Sequence, residues 1–150
     1  MAKQLAIFGG SFNPIHFGHL IVAECCLEQA RLDRVLFMPA ATPPHKQDIT
    51  LAAPEDRIEM LQLAVGSHAQ FEVDPQECNR GGISYTVNTV ENLIHQFPSE
   101  HFSLILGPDA LLSLPSWKDP QRILALIKIL AVERHDIDDI EKITQQPQLK

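Results

Sequence analysis

Residues 9–20 read Gly-Gly-Ser-Phe-Asn-Pro-Ile-His-Phe-Gly-His-Leu, so that His16 and His19 stand three positions apart just after the pair Gly9-Gly10. Imidazoles at that spacing lie on one side of a helical turn and can both donate hydrogen bonds towards it. No cysteine or acid accompanies them in the stretch. What it offers is therefore donors to an anion. A Gly-Gly after a strand says little by itself, and a lone His near a helix start is more often a cap. Two His flanking a Gly, directly after a glycine turn, form a narrower pattern that points to phosphate.

The elements that must position these residues follow from the apolar spacing. Leu5 to Phe8 is a short apolar run that enters the two glycines, and His19 to Ala30 reads as a helix with Leu20, Ala23, Leu27 and Ala30 on one face. A strand-to-helix junction leaves the first N–H groups of the helix unpaired, and an anion is their favoured occupant. Val35 to Met38 is a second strand, ended by Pro39. Strand, helix and strand make a βαβ unit, hence a parallel sheet with a right-handed crossover. The next stretch, Thr42-Pro43-Pro44-His45-Lys46, is a loop at the carboxyl end of that strand, where open α/β sheets bind ligands. It carries His45 and Lys46 towards the mouth that holds His16 and His19, although a solvated basic loop is the commoner role for such residues.

Further along, Pro54 to Val65 reads as a helix burying Ile58, Leu61 and Val65, with Arg57 on the opposite side as a surface charge. Phe71 to Val73 is a third strand. Asp74 to Ser84 reads as irregular, with Gly81-Gly82 inside it, and leads into a helix capped by Thr86 and carrying Val87, Val90, Leu93, Ile94 and Phe97 on one face. The start of that helix is either a second anion site or a plain cap. Phe102 to Leu106 is a fourth strand entering Gly107-Pro108-Asp109, where a carboxylate can accept from both hydroxyls of a ribose and glycine admits close approach. Trp117, beyond Pro115, is a core or rim aromatic or else a stacking wall for an aromatic ring. Pro120 to Leu126 reads as a short helix and Ile127 to Val132 as a fifth strand. Arg134 comes just past that strand's carboxyl end, placed to clamp a phosphate. Asp136 to Gln146 is a polar helix or a loose tail. The expectation is an α/β fold, an open parallel sheet of about five strands with helices on both faces, in one domain over 1–150.

The length of 150 residues suits one core, and 45% apolar with 21% charged residues is an ordinary globular composition. A net charge of -7 argues against broad electrostatic binding to nucleic acid, but not against nucleotides, which need only a local basic site. No apolar run approaches the ~20 residues of a membrane span. Met-Ala-Lys-Gln leads directly into a strand, which leaves no room for a signal peptide. The three cysteines, Cys25, Cys26 and Cys78, have no metal spacing, and such usage fits a reducing cytoplasm. The sequence is compatible with a homo-oligomer.

The tetrad His16-Phe17-Gly18-His19 resembles the H-x-G-H signature of the nucleotidyltransferase superfamily, and residues 9–20 as a whole are similar to the opening of the bacterial nicotinate-nucleotide adenylyltransferases. Asn13 stands where many of those have Asp. The likeness runs from Leu5 to about Arg134 and takes in Pro43-Pro44-His45-Lys46, Ser84-Tyr85-Thr86, Gly107-Pro108-Asp109 and the stretch from Ala110 to Trp117. It implies a Rossmann-like nucleotidyltransferase fold and adenylyl transfer from ATP to nicotinate mononucleotide, in NAD biosynthesis. It implies that His16, His19 and Lys46 serve the transfer, and that Gly9, Gly10, Ser11, Phe12, Gly107 and Asp109 hold ATP. Tyr85 and Thr86 would lie by the pyridine ring and its carboxylate, Trp117 would stack on that ring, and Arg134 would take a substrate phosphate. Mg2+ is implied too, carried mainly by ATP.

The family's Ser/Thr-rich motif ending in Arg, which grips the triphosphate, has no match in these residues, so the chain is expected to be C-terminally incomplete relative to the family. The alternatives are the same chemistry on nicotinamide mononucleotide or phosphopantetheine, or a non-catalytic nucleotide-binding remnant. A redox dinucleotide domain is disfavoured, because no Gly-x-Gly-x-x-Gly follows the first strand.

Overall fold

The computed structural model describes residues 2–41 and 51–132. In chain order these form β1 (Gln4–Gly10), α1 (Phe17–Gln29), β2 (Arg34–Pro39), α2 (Pro54–Val65), β3 (Phe71–Val73), α3 (Gln76–Arg80), α4 (Thr86–Gln96), β4 (His101–Leu106), α5 (Pro108–Ser113), a 3-10 turn at Leu114–Ser116, α6 (Pro120–Leu126) and β5 (Lys128–Ala131). The strands make one parallel sheet in the order β3-β2-β1-β4-β5.

Side-chain alternation along the strands separates two cores. Ala6, Phe8, Val35, Phe37, Phe71 and Ile105 face one side, where Val22, Ala23, Cys26 and Leu27 of α1 and Leu61 and Val65 of α2 cover them. Leu5, Ile7, Leu36, Met38, Leu104 and Leu106 face the other side, under Val87, Val90 and Leu93 of α4 and Ile123 of α6. Helices therefore lie on both faces, as the alternation of strand and helix patterns implies.

Four local expectations are corrected. α1 begins at Phe17, two residues early, because His16 takes the N-cap position in extended conformation. Asp74 to Ser84 is not irregular throughout. The Asp74 carboxylate accepts from the Gln76 N–H at 3.0 Å, which starts α3, and Gly81 (φ +74°) and Gly82 (φ +69°) then turn the chain in the left-handed region. Tyr85, not Thr86, is the N-cap of α4, and Phe97 at the other end is exposed. Arg57 is not a surface charge: it is only 1% exposed. Residues 57, 61 and 65 are spaced by four, so Arg57 shares the inward face of α2 with Leu61 and Val65.

Among the described residues no helix is long and apolar enough to cross a membrane. Cys25, Cys26 and Cys78 are free thiols, and burial, with Cys25 adjacent, pushes Cys26 up to about 11.

Candidate active site

β1 lies at the centre of the sheet. The chain leaves it towards β2 and β3 and later returns to its other side as β4. This reversal makes a crevice outside the carboxyl ends of β1 and β4, where open α/β sheets hold their ligands. Gly9 and Gly10 end β1 there, Gly107 follows β4, and the Ala40 N–H after β2 donates to the Gly10 carbonyl at 2.8 Å.

His16 and His19 meet face to face at this crevice. Their ring centroids are 3.8 Å apart and their planes differ by 27°. His19 is fixed from two directions. Its Nδ1 accepts the backbone N–H of His16 at 3.1 Å. Its ring also meets the ring of Phe12 at 5.0 Å and that of Phe8 at 6.0 Å, both edge-on. Because Nδ1 accepts, the ring proton of neutral His19 sits on Nε2, which becomes a donor. No acidic residue stands in the first turn of α1, and the His19 N–H there donates back to the His16 carbonyl at 3.1 Å, behind the leading amides of Phe17 and Gly18. Gly18 makes room for the pair: a Cβ there would lie 2.9 Å from His16 Cε1 and 3.0 Å from its Nδ1. Imidazole and amide donors thus converge with no competing carboxylate in that turn, an arrangement suited to an anionic phosphate.

Phe12 is placed differently from the expectation. Its ring is 2% exposed and packs among Phe8, Phe37 and His19, so the side chain props His19 from the core and leaves the main chain of Phe12 as the part that could meet ATP. Ser11 is half-buried, and its carbonyl accepts from Arg57 Nη1 at 2.8 Å. Asn13 Oδ1 accepts the Ala52 N–H at 2.9 Å, a bond that an Asp carboxylate could also accept.

On the β4 side, Gly107 is the N-cap of α5, and nothing among the described residues lies within 4 Å of where its Cβ would be. Asp109 is exposed in the first turn of α5. Tyr85 and Trp117 both pack, half-buried, against the second core. The Trp117 indole N–H donates to Ser113 Oγ at 3.0 Å, and Lys118 Nζ lies over the Tyr85 ring, 4.9 Å from its centre. Thr86 is half-buried in the first turn of α4. Lys46, His45 and Arg134 lie outside the described residues.

Sequence reasoning missed two buried polar residues. The Arg57 guanidinium donates to four main-chain carbonyls, those of Ala52 (2.9 Å), Ser11 (2.8 Å), Ala40 (2.6 Å) and Ala41 (3.2 Å). Glu77, 7% exposed, accepts from the Thr89 hydroxyl of α4. Burial pushes the Glu77 carboxyl above the ordinary carboxylate range, against the pull of its hydrogen bonds with Thr89 and Ser84 and of the Arg80 charge. The four-residue spacing to Leu61 was a usable signal for Arg57. Nothing in the pattern marked Glu77, because α3 has only five residues.

A Rossmann-like sheet with paired imidazoles at the switch point defines a nucleotidyltransferase. The sequence profile of the Cytidylyltransferase-like family matches residues 7–148. A probable nicotinate-nucleotide adenylyltransferase of Synechococcus sp. (strain JA-2-3B'a(2-13)) is 41% identical over 143 residues, which is 95% of this chain and 71% of that protein. Another, from Methylacidiphilum infernorum (isolate V4), is 40% identical over 139 residues, 93% of this chain and 68% of that one. The fold matches the Plasmodium falciparum nicotinic acid mononucleotide adenylyltransferase complexed with NaAD. The TM-score is 0.77 at 18% identity, over 88% of this chain and 65% of that one. The chain belongs to the nicotinate-nucleotide adenylyltransferase family.

Proposed function

We infer that this protein transfers the adenylyl group of ATP to nicotinate mononucleotide, giving nicotinate adenine dinucleotide and pyrophosphate. The observation that carries the reading is the stacked pair His16/His19 at the switch point, with His19 held by the His16 N–H at its Nδ1, in a chain of this family.

The attacking group is an oxygen of the mononucleotide's phosphate. Its second pKa is about 6, so it is already ionised at neutral pH and needs no general base. It forms a bond to the α-phosphorus of ATP as the bond from that phosphorus to the bridging oxygen of the β-phosphate breaks. Pyrophosphate carries away the electron pair. The protein's task is alignment and neutralisation of the charge that grows on the α-phosphate oxygens. His19 Nε2–H, the His16 ring and the leading amides of α1 would supply the donors.

Gly9, Gly10 and Ser11 would let the triphosphate approach the backbone, and Gly107 with Asp109 would take the ribose. Tyr85, Thr86 and Trp117 would receive the mononucleotide, with backbone N–H groups near Tyr85 selecting its carboxylate. From their sequence positions, Lys46 would hold the outgoing phosphates and Arg134 a substrate phosphate. Mg2+ would arrive coordinated by the phosphates of ATP and supply further charge neutralisation there. Among the described residues no group of three or more His, Cys, Asp or Glu is placed to hold a metal ion. The free thiols suit a reducing compartment, and we place the enzyme in the cytoplasm.

Pyrophosphate release, measured with ATP and each candidate acceptor in turn, tests this. Nicotinate mononucleotide should be the best acceptor, ahead of nicotinamide mononucleotide and phosphopantetheine. Binding of ATP and the mononucleotide without release would overturn the reading in favour of a non-catalytic nucleotide-binding protein.

A further inference from the structure

We propose that Arg57 is a positioning residue whose buried guanidinium locks the loop carrying the histidines to the loop that receives the mononucleotide. The proposal rests on the adenylyl-transfer reading for its kinetic consequence, though not for its geometry. Arg57 is 1% exposed, and its partners among the described residues are all main-chain carbonyls. They belong to three separate segments. Ser11 is in the loop between β1 and α1, Ala40 and Ala41 follow β2, and Ala52 precedes α2. Converging carbonyl dipoles repel one another, and the planar, five-donor guanidinium is what lets them share one spot.

The connection continues beyond Arg57. The Ala41 N–H donates to Ser84 Oγ at 3.2 Å. Ser84 is itself buried and directly precedes Tyr85, the N-cap of α4. A continuous polar path therefore runs from Ser11, five residues before His16, through Arg57 and Ala41 to Ser84, next to Tyr85 and Thr86. Among the described residues no buried side-chain nitrogen or oxygen lacks a partner.

Two features argue that this path does more than hold the fold. A buried cation whose partners among the described residues are all neutral carbonyls is a costly way to fill space, and an apolar side chain of similar size is often at least as stable. The path also joins the two loops whose relative placement sets the distance between the α-phosphorus and the attacking oxygen. A misplacement of about 1 Å there costs on the order of 100-fold in rate.

Arg57→Lys keeps the charge but cannot reach four carbonyls in one plane. The variant should fold, and its kcat per folded molecule should fall about 10- to 100-fold, while the separate dissociation constants of ATP and nicotinate mononucleotide stay within about threefold of wild type. Amide exchange should quicken at Gly82–Thr86, which Arg57 does not touch, as well as at Ser11 and Ala41. Wild-type kcat per folded molecule, or quickened exchange confined to the segments that Arg57 contacts, would overturn the proposal.

If Arg57→Lys fails to fold, Ser84→Ala decides. It cuts the path between Ala41 and the segment that carries Tyr85 and leaves the Arg57 bonds in place. Lower kcat with both affinities kept supports the proposal, and unchanged kcat overturns it. If wild type releases no pyrophosphate, the adenylyl-transfer reading fails alone, and the exchange pattern still decides the coupling.

Discussion

At the scale of single residues, the proposed transfer depends on what fixes the His19 ring. Two aromatic edges and one backbone N–H hold it in one orientation. His19→Ala or His16→Ala should lower turnover by about 10²–10³, the usual loss when one donor is removed from a site that stabilises developing charge. Near-normal turnover in both variants, in a steady-state pyrophosphate assay, would refute the role. Gly18 is the third member of the group. A methyl there would collide with the His16 ring and turn it off the stack. Gly18→Ala should therefore cut kcat about tenfold or more, while the thermal unfolding midpoint changes little. Residue types and spacing make the histidine pair legible in the sequence. They do not disclose that the Phe12 ring turns into the core, because an aromatic in a glycine-rich loop carries no sequence signal for the direction of its side chain.

At the scale of elements, the strands are the most legible part. Leu5–Phe8, Phe71–Val73 and Phe102–Leu106 are apolar runs bounded by turn residues, and each lies within a strand. The inward face of α2 is easily mistaken because Ile58 and Arg57 are neighbours, and hydrophobicity favours the wrong one. Arg57 can face the core because four carbonyls satisfy it. α3 is hidden because its five residues carry no apolar period.

The Glu77 contact between α3 and α4 makes a pH prediction. In the unfolded chain this carboxyl loses its proton near the ordinary value of about 4.3, and burial in the fold raises that point. Just above the ordinary value the folded state therefore holds more protons than the unfolded one, so this group's contribution to stability is lost as pH rises. Glu77→Gln removes the titration. Its stability relative to wild type, read from urea midpoints, should improve between about pH 4 and pH 7. A pH-independent difference would show that Glu77 does not titrate in this way.

At the scale of the whole molecule, the strand order turns separate motifs into one site. Residues 9–19, 40–41, 84–86 and 107–117 are far apart in sequence, yet they gather because every strand is parallel and the chain reverses across β1. The βαβ pattern carries that logic in the sequence itself, and the family relationship agrees with it. The polar path from Ser11 to Ser84 is not legible there, since it depends on backbone carbonyls that carry no sequence signal. The central claim is that the histidine pair at the front of α1 holds the α-phosphate. A crystal structure with a non-hydrolysable ATP analogue and nicotinate mononucleotide measures this most directly. The expected result is His19 Nε2 within about 2.7–3.1 Å of an α-phosphate oxygen. A triphosphate bound away from α1, with both imidazoles out of reach of the α-phosphate, would contradict it.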